Sequence, residues 1–219
     1  MTWRFLVLAG LFVTCLLTAN VIATKLVVIG GLILPAGVVI FPISYIVGDV
    51  LTEVYGYAAA RRVIWLGFAG NAVMVVAIWV AGELPAAPVW KGQAAYAEVF
   101  AQTPRILAAS FLAYLVGEFA NSFVLAKMKI ATQGRWLWTR TVGSTVVGQG
   151  LDSLVFVTFA FAGLVPLAVL PGIVAAQWLV KVAYEAAATP LTYLVVGWLK
   201  ARERMDAYDR DTDFHPFHL

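Results

Sequence analysis

Six ionisable side chains sit where the chain is otherwise apolar: Asp49, Glu53, Glu118, Asp152, Lys181 and Glu185. Five acids against one base leave too few cations for full pairing within these stretches. In hydrocarbon each such group costs roughly 2.5–3.5 kcal/mol on insertion scales, so its placement needs a partner or a function. Spacing groups the six with uncharged polar residues. Tyr45, Asp49 and Glu53 follow one another at four-residue steps, which is one helix face. Tyr114 and Glu118 repeat the step, with Asn121 and Ser122 on the next turn. Ser144, Gly148 and Asp152 form a third stripe beside Gln149, and Gln177, Lys181 and Glu185 a fourth beside Tyr184. Stripes of this kind are expected to face one another or a water-filled cavity. The set suits recognition of a small polar organic molecule. Carboxylates would take N–H donors, amides and lysine a carbonyl, and aromatic rings a flat face.

Plainer roles compete for some of these residues. Asn121, Ser122 and Ser144 read first as helix–helix contacts, which polar and small side chains commonly make in membranes. Lys181 and Glu185 also fit an intrahelical ion pair. Glu53, at the end of its apolar run, is expected to pair with Arg61 or Arg62. Asp49 lies a turn deeper; an exit path, a coupled proton, or a structural bond to Ser or Asn elsewhere all fit it. Asp49, Glu118 and Asp152 have no evident partner and lie in three separate apolar stretches, which points to function.

Several chemistries are disfavoured. Histidine occurs only at His215 and His218, in a polar tail, so no serine within an apolar stretch has a histidine base. Lys181 is the sole basic candidate there. A Gly-x-Gly-Asp aspartyl protease signature fails twice: IVGD at 46–49 has Ile46 at the first glycine, and GQGLD at 148–152 inserts Leu151. The lone cysteine, Cys15, excludes an intramolecular disulfide and a cysteine metal cluster. A zinc or copper route would need His or Cys ligands, whereas oxygen-bound cations stay open. Nothing matches Gly-x-x-x-x-Gly-Lys-Ser/Thr, so any ATP use would come from a partner.

The elements that must position these residues follow from composition. Of 219 residues, 62% are hydrophobic and 12% charged, half the usual charged share, with mean hydropathy +0.88. This fits an all-α, polytopic membrane protein. Six spans are expected, at roughly 3–19, 36–56, 61–82, 104–126, 141–163 and 172–199, each near the ~20 residues a crossing needs. The first apolar run is too long for a signal-peptide core and is expected to be a retained helix. Gly30, Gly31, Pro35 and Gly37 punctuate the first connection, and Pro85 and Pro88 open the second outer loop. Pro104 starts a helix, Pro166 and Pro171 frame the fifth loop, and Pro42 and Pro190 are expected to kink spans. Eleven Lys and Arg residues fall on one side and three (Lys25, Lys91, Arg105) on the other, with Lys181 in a span. Both termini should therefore be cytoplasmic. Residues 1–200 are expected to form one transmembrane domain. Residues 201–219 would be a cytoplasmic tail, a frayed helix and then disorder. The net charge of +3 is no nucleic-acid signature, because the positive residues fall into short loop clusters.

In order along the chain stand NVIATK (20–25), PISYIVGDVLTEVYGYAAARR (42–62), GEFANSFVLAKMK (117–129), RTVGSTVVGQGLDS (140–153) and KVAYEAAATP (181–190). With these motifs the chain resembles the queuosine precursor transporters, six-helix inner-membrane proteins once called vitamin-uptake-like. The resemblance covers about Asn20 to Pro190. It implies a fold similar to the substrate-binding components of energy-coupling-factor importers. It also implies import of 7-cyano- or 7-aminomethyl-7-deazaguanine for queuosine salvage in tRNA. No enzyme activity and no cofactor is expected. The expected partners are the small-molecule base and the lipid bilayer, not nucleic acid; a second copy or an energising partner stays open. On this reading Glu118, Asp152 and Glu185 carry recognition. Asn121, Gln149 and Lys181 support them, and Tyr45, Tyr114 and Tyr184 offer ring faces. Two alternatives remain: a binding subunit of a multi-component ATP-driven importer, and a cation- or proton-coupled transporter of an unrelated solute.

Overall fold

Backbone N–H and C=O groups that cross hydrocarbon must be bonded internally, and long helices achieve this within one segment. In the computed structural model, which describes residues 2–23, 25–29, 32–100, 104–163 and 166–218, seven α-helices form. They are α1 (Trp3–Ile22), α2 (Phe41–Tyr55), α3 (Tyr57–Glu83), α4 (Gln93–Phe100), α5 (Pro104–Ala131), α6 (Leu137–Phe161) and α7 (Leu170–Glu203). A two-stranded antiparallel hairpin, β1 (Leu26–Ile29) with β2 (Leu32–Pro35), and one 3-10 turn (Ala36–Val39) join α1 to α2. Gly30 and Gly31, expected to punctuate this connection, lie outside the described residues. The short α4 lies in the connection between α3 and α5.

Five helices, α1, α3, α5, α6 and α7, are long and apolar enough to cross a bilayer. The second expected span differs. Its first residues form the 3-10 turn, and α2 proper has 15 residues, about 22 Å at 1.5 Å per residue, against a hydrocarbon core of about 30 Å. Pro42 consequently sits in the first turn of α2, where its missing N–H costs nothing, and does not kink a span. Pro190 does lie inside α7.

α2 is short because it is the bundle's centre. Twelve of its 15 residues are buried. Val47 and Leu51 join Phe5, Phe12 and Leu16 of α1 and Val63 and Ile64 of α3 in one apolar cluster. Ile46, Val50 and Val54 pack with Leu137 of α6 and with Val196 and Leu199 of α7 in another. The remaining face carries Tyr45, Asp49, Thr52 and Glu53. Gly56, at φ 87°, makes the corner from α2 to α3 in a conformation open to glycine.

Glu53 anchors one end of α2, and not through Arg61 or Arg62. Arg140 of α6 grips it with two bonds, Nε to Oε2 and Nη2 to Oε1, both 2.7 Å. Lys200 of α7 adds a third contact at 2.6 Å and Lys129 of α5 a fourth at 3.6 Å. Four helices are thus tied by one fully buried carboxylate. Arg61 instead donates to the carbonyls of Asp213 and His215.

Those carbonyls belong to the tail, which is not disordered. Ala207 N–H bonds Val54 C=O, and both Asp209 oxygens accept from Tyr57 N–H at 3.0 Å, capping α3, which has no side-chain cap of its own. Trp65 Nε1 donates to Pro216 C=O. Asp206 meets Lys129 at 2.5 Å and Lys200 at 2.8 Å. Buried cations and helix ends need partners, and the tail supplies them. This is why a segment that reads as polar and loose packs against the bundle.

Arg140→Met should lower unfolding free energy in detergent by about 3–5 kcal/mol, since it strands a buried carboxylate, while Arg62→Met on the exposed side should stay within about 0.5 kcal/mol. Partial burial acts to raise the Asp206 carboxyl, but the Lys129 and Lys200 ammoniums outweigh it and hold it below the usual range. Its contribution is therefore present above the ordinary carboxylate range and lost as pH falls through the lowered value. Hydrogen exchange at residues 205–209, corrected for intrinsic rate, should be flat from about pH 5 to 8 and rise only below about pH 4.

Candidate functional site

The site is set by how closely α5 and α6 cross. A Cβ added to Gly148 would stand 2.7 Å from Asn121 Cβ and 2.9 Å from Gly117 C=O. One added to Gly117 would stand 2.8 Å from Asp152 Cβ. Only glycine on both helices permits this approach. It brings Glu118 and Asn121 of α5 to the level of Gln149 and Asp152 of α6. α2 enters the same layer with Tyr45 and Asp49, and α7 with Lys181, Tyr184 and Glu185.

A cavity of about 620 Å³ opens beside this layer. Tyr45, Tyr114, Gln149, Asp152, Lys181, Tyr184 and Glu185 all line it. Of the expected site residues, Asp49, Glu118 and Asn121 do not. They lie behind the wall, each almost wholly buried. Asn121 Nδ2 donates to Asp49 Oδ1 at 2.7 Å. Lys181 is bonded to Asp152 across the α6–α7 contact, so its partner is not Glu185, and Asp152 is not without one. The Lys181 ammonium also stands 5.2 Å from the Phe41 ring centroid. Tyr114 spends its hydroxyl on Ile64 C=O at 2.9 Å, leaving its ring to the cavity.

Sequence reasoning missed part of the lining. Asn71 of α3 is buried and accepts from Asn20 Nδ2 of α1 at 3.0 Å; both line the cavity. Asn71 is an isolated amide in an otherwise greasy span, a signal the acids overshadowed. Phe41, Thr145 and Phe156 also line it, and apolar spacing had no means of separating them from ordinary core. A second concavity along α3, between Val73, Val76 and Val80, is formed by exposed apolar side chains and offers no chemistry.

The cavity has the size of small-molecule sites, several hundred Å³, and their pattern of mostly apolar walls with a few convergent polar groups. Buried acceptors without donors face it: Gln149 Oε1 and Glu185 Oε1 have no hydrogen-bond partner among the described residues. A buried acceptor left without a donor is costly, so such groups favour N–H or O–H donors.

A bundle of membrane-crossing helices around a mostly apolar chamber with a few convergent polar groups is the architecture of a small-solute membrane carrier. The chain belongs to the family described as "Putative vitamin uptake transporter", whose model matches residues 35–195. It is 31% identical over 189 residues to the "Probable queuosine precursor transporter" of Bacillus subtilis (strain 168), covering 85% of this chain and 82% of that one. It is also 31% identical over 124 residues to the "Queuosine precursor transporter" of Escherichia coli (strain K12), covering 55% of this chain and 52% of the relative. No solved structure matches.

A double-mutant cycle on Lys181→Met and Asp152→Asn tests the cavity's ion pair. Each single change should destabilise the protein and the pair together should cost less than the sum, with a coupling of about 1 kcal/mol or more in thermal unfolding. Additive effects would show that the two side chains do not meet.

Proposed function

We propose that this chain imports queuosine precursors of the 7-cyano- or 7-aminomethyl-7-deazaguanine type across a bacterial inner membrane, as a multi-pass carrier and not as an enzyme. The observation that carries the reading is one cavity wall bearing Asp152, Glu185 and Gln149 beside the rings of Tyr45 and Tyr184, in a chain of this family. A deazaguanine presents N1–H and an exocyclic amine side by side, and a single carboxylate accepts both as a charge-assisted pair. Glu185, which has no cation on it, is the first choice for that edge. Lys181, held by Asp152, offers an N–H to the ring carbonyl. Tyr45 and Tyr184 flank the flat face, and the apolar Phe41 and Phe156 close the rest. An aminomethyl substituent adds a cation, which Asp152 would share with Lys181. Glu118 and Asn121 support the wall from behind. The excess of Lys and Arg at the tail end of the bundle supports cytoplasmic termini.

Uptake of radiolabelled precursor by cells carrying the variants tests this. Glu185→Gln and Asp152→Asn should each slow uptake about tenfold or more at limiting substrate, the value of one or two charge-assisted hydrogen bonds. Glu83→Gln, on the exposed end of α3, should transport normally. Wild-type rates in both cavity variants would remove the proposed site. Transport by the protein alone in liposomes would exclude the need for a separate ATPase.

A further inference from the structure

The charge balance inside the bundle is uneven. At the tail end, Glu53 and Asp206 face three cations, Arg140, Lys129 and Lys200. One to two turns toward the cavity, Asp49, Glu118, Asp152 and Glu185 share a single cation, Lys181, which is bonded to Asp152. Among the described residues three carboxyls therefore have no cation, and each acts on the others' charge. The groups packed around them come from four helices. α2 contributes Tyr45 and Glu53, α5 contributes Tyr114 and Asn121, α6 contributes Gln149 and Asp152, and α7 contributes Lys181. None of these adds an unpaired positive charge.

Hydrogen bonding gives a second, independent observation. Asp49 Oδ2, Glu118 Oε2, Glu185 Oε1 and Asn121 Oδ1 are all buried and all without a donor. Asn121 is 1% exposed, and its amide is held against Asp49. Four buried acceptors with no donor on them among the described residues, against one free hydroxyl among the groups packed around them, that of Tyr45, are stable only if a donor or cation is supplied. No group of three His, Cys, Asp or Glu side chains among the described residues is placed to hold a metal ion. A proton meets the need directly: on a carboxyl it removes one charge and turns one acceptor into a donor.

We propose that Asp49, Glu118 and Glu185 form a proton-binding site, at least partly protonated at rest, and that inward proton movement through it drives uptake. The coupling half rests on the import reading above; the proton-holding half does not. Glu185 lines the cavity and Asp49 and Glu118 do not, so it is where a proton enters and leaves. A proton arriving there neutralises one carboxylate and passes to Asp49 by exchange between carboxyls, with no other bond made or broken. On the far side stand the buried hydroxyls of Thr52 and Ser122, 3.2 Å apart, and then the cations around Glu53. Those cations repel a proton. In this conformation the site therefore communicates with the cavity and not with the tail end, the one-sided access that coupling requires.

Two measurements test it. Infrared spectroscopy of the purified protein at pH 7 should show the C=O stretch of a neutral carboxylic acid, shifted in heavy water. It should weaken in Asp49→Asn and Glu118→Gln and persist in Glu83→Gln. Absence of that band in the wild type overturns the proton site, and it reads out without any substrate. Proteoliposomes are then given labelled 7-cyano-7-deazaguanine, a neutral probe, in the external medium. An inward gradient of one pH unit should raise accumulation about tenfold per proton carried. Asp49→Asn should equilibrate the probe without accumulating it. Uptake that ignores the pH gradient, or follows sodium instead, overturns the coupling while leaving the import reading in place. No uptake under any gradient overturns the import reading and the coupling with it, and the infrared band alone then decides the proton site.

Discussion

A carboxylate stays inside a lipid-embedded bundle only if something cancels its charge, and the Glu53–Arg140 contact is where this chain does so most completely. Taking either group out of water costs several kcal/mol, and a two-pronged bond with further cations around it recovers that cost. The geometry this demands is strict. Arg140 must come from α6, Lys129 from α5 and Lys200 from α7, all converging on the end of α2. Meeting that condition fixes the axial register of four helices at once. The position of Asp49, one turn along α2, and hence the depth of the cavity wall, follows from it.

The hub also explains the tail. Three cations around one glutamate leave an excess of positive charge, and Asp206 supplies the second anion. Once Asp206 is placed, the following residues reach the corner at Gly56, where α3 begins with bare N–H groups that Asp209 caps. The tail is thus bound by unsatisfied groups at helix ends rather than by an apolar face of its own. Such contacts leave no periodic trace in the residues that make them.

This is the dividing line between what the sequence disclosed and what it did not. Helix positions were legible because hydrocarbon demands about 20 apolar residues and punishes breakers, and the four polar stripes were legible from helical spacing alone. Tyr45, Gln149, Lys181 and Glu185 do share one cavity wall. Pairing was not legible. Local proximity favoured Arg61 for Glu53 and Glu185 for Lys181, yet the partners are Arg140, 87 residues away, and Asp152, 29 residues away. Nor was it legible that Glu118 stands behind the cavity. Its stripe points inward as expected, but the carboxyl packs against α2 near Gly48 and does not line the chamber. The brevity of α2 was hidden for a similar reason: an apolar run buried in protein and one facing lipid have the same composition.

Burial behind the wall also decides how a layer of acids can select a solute at all. If all four carboxyls of the layer were ionised and open to the cavity, the chamber would favour any cation over a neutral solute. Lys181 takes the charge of Asp152, and Glu118 and Asp49 lie behind the wall, so that Glu185 is left as the cavity-lining carboxyl with no cation among the described residues. A single acceptor edge beside aromatic faces discriminates by hydrogen-bond geometry, which a diffuse negative field does not. An ion pair and burial behind the wall thus leave the cavity one uncompensated carboxyl out of four.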